Sequence, residues 1–138
     1  MNKLDKESII GISALLVHAA NIDENYSSHE KELIKEFIKS YTKENDIESI
    51  LKKAEAIESN SNQLLNYTNI IKKNSTEIKK NIIEHLWKVI ISDNSVDQYE
   101  SNLMRRVCGL IYLSDKECAE IKLKLLNSKW PILLKMNV

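Results

Sequence analysis

Ile9-Ile10-Gly11-Ile12-Ser13-Ala14-Leu15-Leu16-Val17-His18-Ala19-Ala20 is the stretch on which the fold turns. Its apolar residues at 9, 10, 12, 15, 16, 17 and 19 cover most of the circumference of a 3.6-residue helix. A helix apolar on nearly every side needs neighbours on nearly every side. The spacing therefore predicts a central, buried helix over about Asp5 to Ala20. The run is broken by Ser13 and His18 and falls short of the roughly 20 apolar residues that cross a bilayer.

Outward from this helix the pattern stays helical. Asn21 to Ser28 is polar and interrupts it. A second helix follows to about Tyr41, with Leu33, Ile34, Phe37, Ile38 and Tyr41 on one stripe. Asn45 or Asp46 caps a third, carrying Ile47, Ile50, Leu51, Ala54 and Ile57. Glu58 to Asn62 reads as a loop and Gln63 to Lys73 as a short helix. Another helix with a wide apolar face runs from about Ser75 to Ser92, through Ile78, Ile82, Ile83, Leu86, Trp87, Val89, Ile90 and Ile91. A polar loop from Asp93 to Asp97 leads to a sixth helix with Leu103, Met104, Val107, Leu110 and Ile111. Ser114 with Glu117 reads as a capping box opening a seventh. Trp130-Pro131 marks a C-terminal tail. The whole chain holds only two Gly and one Pro, residues that helix interiors exclude and strand-rich folds need at turns. The fold class is all-α, about seven helices.

The 138 residues suit one domain. Twenty basic and twenty acidic residues cancel, so net charge recruits neither nucleic acid nor an anionic membrane. Lys72, Lys73, Lys79 and Lys80, like Arg105 and Arg106, read as solvated helix faces. Cys108 and Cys118 form no CxxC pair and no secreted framework. They read as small buried hydrophobes in a reducing compartment. The N-terminus, Met1 to Glu7, carries acidic residues where a signal peptide would be apolar. The expected location is the cytoplasm.

Seventy residues separate two matching patterns. Leu16 pairs with Leu86, Ala20 with Ile90, Asp23 with Asp93, Glu30 with Glu100, Leu33 with Leu103, Ile34 with Met104 and Phe37 with Val107. Each half reads as a buried helix, an acidic loop and an amphipathic helix with Glu in its first turn. Two such halves can pack about a pseudo-twofold axis. Ser27-x-x-Glu30 and Asp97-x-x-Glu100 are capping boxes, which satisfy orphan amides and suit the helix dipole. Asp23 and Asp93 follow helix C-termini, the unfavourable end of that dipole. A loop amide, an Arg or a cation has to stabilise them. Asp23 with Glu30, and Asp93 with Asp97 and Glu100, could supply hard oxygen ligands to Ca²⁺, Mg²⁺ or Mn²⁺. The loops are too short for an EF-hand and lack its central Gly. Caps and loop hydrogen bonds are the competing account.

Other chemistry finds little support. His18 and His85 read as core or boundary histidines, and His29, beside the first acidic loop, as the best auxiliary ligand. No Ser or Cys sits in a nucleophile motif and no Gly-rich phosphate loop exists. The expectation is a non-enzyme.

The run Leu86-Trp87-Lys88-Val89-Ile90-Ile91-Ser92-Asp93-Asn94-Ser95-Val96-Asp97-Gln98-Tyr99-Glu100, continuing through Leu103-Met104-Arg105-Arg106-Val107 and Leu110, resembles the TerB-like family. That family takes in tellurite-resistance TerB proteins and the N-terminal domain of the co-chaperone DjlA. Ala14 to Asp23 and Glu30 resemble its weaker first motif, and Leu113-Ser114 with Glu117 its closing helix. Where the family usually has Gly after Asp, this chain has Glu24 and Asn94. Asn tolerates a left-handed backbone and Glu does so less readily. The resemblance spans about residues 8–126, the core of a single domain over 1–138 with 127–138 as tail. It implies an all-helical fold of about seven helices, acidic clusters that bind divalent metal, a link to tellurite and chemical stress, and no catalysis. Its metal positions fall on Asp23, Glu30, Asp93, Asp97 and Glu100. Two functional expectations result. One is a metal-binding stress protein. The other is a metal-free module that docks a protein partner, like a co-chaperone accessory domain. Neither involves nucleic acid or membrane insertion.

Overall fold

In the computed structural model, residues 4–21, 26–60, 64–91 and 98–129 are described. They form seven α-helices: α1 (Lys6–Asn21), α2 (Ser28–Tyr41), α3 (Ile47–Asn60), α4 (Leu64–Ile71), α5 (Thr76–Ile91), α6 (Gln98–Leu110) and α7 (Asp115–Lys129). A 3-10 turn, Glu44–Asp46, leads into α3. Among the described residues there is no strand, and no helix is long and apolar enough to cross a membrane.

The helix starts follow from their caps. Asp5 Oδ1 accepts from Ser8 N at 2.7 Å and opens α1. Ser75 Oγ accepts from Ile78 N at 3.3 Å and opens α5. Ser114 Oγ accepts from Glu117 N at 3.1 Å and opens α7. Each bond satisfies an amide that has no partner within its helix. The box expected at Ser114 and Glu117 is half-formed, because the Glu117 carboxylate reaches Lys80 Nζ at 3.7 Å instead.

α1 is the centre of the molecule. Ile9, Gly11, Ile12 and every residue from Ser13 to Val17 are buried, with Ala19 and Ala20. It packs on α2, α3, α4 and α5. Four neighbours are what a helix apolar on all sides requires. Gly11 lets α4 come close, since a Cβ there would lie 2.5 Å from Ile70 Cδ1. One continuous core joins α1, α2 and α5 to Ile50, Leu51 and Ala54 of α3, Tyr67 and Ile71 of α4, Val107 of α6 and Leu125 of α7.

The seventy-residue repeat is real in three dimensions. α1 and α5 begin at Lys6 and Thr76 and end at Asn21 and Ile91, and α2 and α6 begin at Ser28 and Gln98. All of these bounds are displaced by that same spacing. Leu16 and Leu86, Ala20 and Ile90, Leu33 and Leu103, Ile34 and Met104, and Phe37 and Val107 are all buried. The repeat also reaches a third helix that the sequence patterns did not reveal. α1 packs on α3 as α5 packs on α7, and α2 meets α3 as α6 meets α7. Among the described residues α4 stands outside the repeat, and it touches both α1 and α6.

Two expectations need correction. Glu58 to Asn60, read as loop, complete the last turn of α3, because packing on α1 carries the helix beyond its apolar stripe. Cys108 and Cys118, read as separate small hydrophobes, are bonded to one another. The turn between α6 and α7 folds the chain back and brings together two residues that no linear motif pairs.

Candidate functional site

The end of α1, the start of α2 and the second half of α3 meet at one corner. Asn21 Nδ2 donates to Glu58 Oε2 at 3.2 Å. His18 Nδ1 lies 3.7 Å from Glu58 Oε1. The Tyr26 hydroxyl donates to Glu55 Oε2 at 2.7 Å. Lys31 Nζ lies 3.7 Å from the same oxygen and 5.1 Å from the centre of the Tyr26 ring.

Glu30 sits at the heart of this corner, only 6% exposed. Its Oε1 accepts from Ser27 N at 2.9 Å and from Ser27 Oγ at 3.1 Å, while Glu30 N donates back to Ser27 Oγ at 3.4 Å. This is the reciprocal capping box expected of Ser27-x-x-Glu30. The local field is negative. Burial, the bond to Glu55 and its charge, and then the charges of Glu30 and Glu58 hold the Tyr26 phenol well above its usual range. Three carboxylates, Glu30, Glu55 and Glu58, share this corner with Lys31.

Of the five positions expected to bind metal, only Glu30 has a described side chain. Asp23, Asp93 and Asp97 lie outside the described residues. Glu100 falls in the first turn of α6, with its side chain outside them. Among the described residues, no three His, Cys, Asp or Glu side chains are grouped as a metal site. His29 is exposed. It is His18 that approaches a carboxylate. His85 is buried, with Nδ1 3.0 Å from Asn81 O and its ring edge-on to Phe37.

Glu55, Glu58 and Tyr26 escaped the reading of the sequence. The signal was present on α3. Leu51 and Ala54 are buried there, and Glu55 and Glu58 each lie four residues further on. Carboxylates that continue an apolar stripe point toward a neighbouring element rather than to open water.

Once the helices are in place, the comparison with families is decisive. The model for tellurite resistance protein TerB matches residues 10–123. This chain belongs to the TerB family. No curated protein and no solved structure gives a significant match. TerB is an all-α domain and generally non-catalytic. Within this TerB chain the two acidic loops are not equivalent. The position of His18 is taken by Lys88 in the second half. The second half of α3 carries Glu55 and Glu58, whereas Ile121 to Lys129 of α7 contains no carboxylate. The first half gathers acid from a third helix. The second has Asp93, Asp97 and Glu100 of its own.

Proposed function

We propose that this TerB-family chain is a non-catalytic, cytoplasmic protein that binds divalent cations through its two acidic loops in a chemical-stress response. The supporting observation is the buried Glu30 carboxylate, which shares the field around Tyr26 with Glu55 and Glu58. Asp23 precedes it by seven residues, and Asp93 and Glu100 repeat that spacing. Hard carboxylate oxygens suit Ca²⁺, Mg²⁺ or Mn²⁺. The family's tellurite label supplies the stress context.

The test is calorimetric titration of metal-stripped protein with Ca²⁺, Mg²⁺, Mn²⁺ and Zn²⁺, repeated on Asp23→Asn and Asp93→Asn. Each variant should lose one saturable event while keeping its helical circular dichroism. Wild-type protein that is folded yet takes up no cation would sink the reading.

A metal-free interaction module is the second reading. It is favoured by the complete Ser27–Glu30 capping box, which accounts for that carboxylate without a ligand, and by the exposed Tyr112 and Leu123. The same titration separates the two readings.

A further inference from the structure

We propose that Cys108 and Cys118 are a reversible thiol–disulfide exchange site, opened and closed in the folded protein by low-molecular-weight anionic thiols. The bond joins the last turn of α6 to the first turn of α7, with the Cα atoms 6.8 Å apart. Both residues lie in the wall of an open groove of about 250 Å³, shared with Trp87, Arg105, Asp115 and Lys122. Both residues are buried, and Cys118, 6% exposed against 1% for Cys108, is the sulfur that reagent entering the groove reaches first.

Three features set this pair apart from a structural staple. First, the turn it spans is already held without it. Leu113 N donates to Cys108 O at 3.0 Å, Tyr112 N to Gly109 O at 3.3 Å, and Ser114 caps α7. Opening the bond leaves those contacts in place. Second, Cys118 lies in the first turn of α7, at the positive end of the helix dipole, which favours a thiolate. Third, Arg105 and Lys122 line the groove against a single acidic group, Asp115. Lys122 is fixed there, with Nζ 4.9 Å from the centre of the Trp87 ring. Those cations stabilise a leaving thiolate and draw in an anionic thiol.

The exchange runs in two steps. An incoming thiolate bonds to Cys118 Sγ, the more exposed of the two, while the Cys108–Cys118 bond breaks, and the electron pair leaves on Cys108 Sγ. A second thiolate attacks the small-molecule sulfur of the mixed disulfide and releases Cys118. Two small thiols become one disulfide, and their two electrons and two protons reside on the cysteine pair. Oxidised small-molecule disulfide reverses both steps. The site stands independently of cation binding at the acidic loops.

The experiment uses the full chain in glutathione buffers of varied reduced-to-oxidised ratio, without denaturant. Thiols are alkylated and counted by mass. The expected result is a smooth passage from no free thiol to two, with helical circular dichroism unchanged. Lys122→Gln and Arg105→Gln should each slow the exchange several-fold. The Cys108→Ser/Cys118→Ser variant should fold and react with neither form of glutathione. Two thiols that persist under oxidised glutathione would overturn the proposal. So would a bond that opens only as fast as the chain unfolds, exchange indifferent to Lys122 and Arg105, or a double variant that fails to fold.

Discussion

At the scale of the residue, Tyr112 carries the clearest strain. It is a non-glycine residue at φ 62°, in the left-handed region that costs an L-residue about 1–2 kcal/mol. The bonds around it explain why. α6 ends in paired hydrogen bonds, Leu113 N to Cys108 O and Tyr112 N to Gly109 O. That ending places a left-handed residue at the position usually held by Gly. Tyr112 is 77% exposed, so its ring contributes little packing. Tyr112→Gly should relieve the strain and lose part of the gain to the freer unfolded chain, about 0.5–1 kcal/mol. The net expectation is a stability unchanged or raised by up to about 1 kcal/mol, read from urea unfolding. A clear loss would show that the tyrosine ring is held by something beyond the turn. Residues of this kind are poorly legible in sequence. Nothing in Leu110-Ile111-Tyr112-Leu113 announces a helix stop, because the usual punctuation of Gly or Asn is missing.

At the scale of the element, the two glycines have opposite surroundings. A Cβ at Gly109, in the last turn of α6, would meet nothing within 4 Å. Gly109→Ala should therefore stabilise the protein by about 0.5–1 kcal/mol through helix propensity alone. A Cβ at Gly11 would press on Ile70. There the end of a flexible side chain has to move, and the same propensity gain is offset. Thermal melts of both alanine variants should rank Gly109→Ala above Gly11→Ala, and the reverse order would mean that α4 yields freely. Helix identity itself was highly legible. Strong stripes such as Leu33-Ile34-Phe37-Ile38 and the wide face of α5 leave little choice of structure. The exception was the end of α3. Glu58, Ser59 and Asn60 look like a loop because they are polar, yet they stay helical. Asn21 and His18 of α1 provide polar partners for Glu58, and such contacts between elements are invisible to local pattern.

At the scale of the whole molecule, stability against pH integrates several of these groups in separate windows. Burial holds His85 below the usual histidine value. The bond to Asn81 O and the charges of Glu84 and Glu36 oppose that shift, and Lys88 adds to it. The fold therefore favours neutral imidazole, while the unfolded chain begins to bind a proton near pH 6.5. The unfolded state binds more protons below that point, so stability falls as pH drops through and below about 6.5. The urea midpoint should be lower at pH 5.5 than at 7.5, and His85→Gln should flatten that difference. An unchanged slope in the variant would assign the effect elsewhere. Asp5 and Glu48 are held below their usual values by the Ser8 hydrogen bonds and by Lys35. Their contribution is lost only at lower pH, as it falls through those depressed values. Tyr26 acts at the other end, where stability is lost as pH rises above about 10. The overall architecture was legible because the Leu16/Leu86 and Phe37/Val107 correspondences span two helices in each half. The third pair, α3 and α7, was not, because their sequences share no pattern at the seventy-residue spacing and only their packing on α1 and α5 corresponds. The acidic corner was half legible for a related reason. Glu30 announces itself three residues after Ser27, whereas Glu55 and Glu58 join it from 25 and 28 residues further along the chain.

α4 is the odd member of this arrangement. Two copies of a unit related by an axis present every surface twice, except where something unpaired interrupts them. Among the described residues α4 has no counterpart, and it leans on the first copy through α1 and on the second through α6. The described residues therefore have a front and a back. Whatever reads the side bearing the exposed Asn69 meets it once among them, so an assembly built on that side has a valency of one there, where a perfect duplication would offer two.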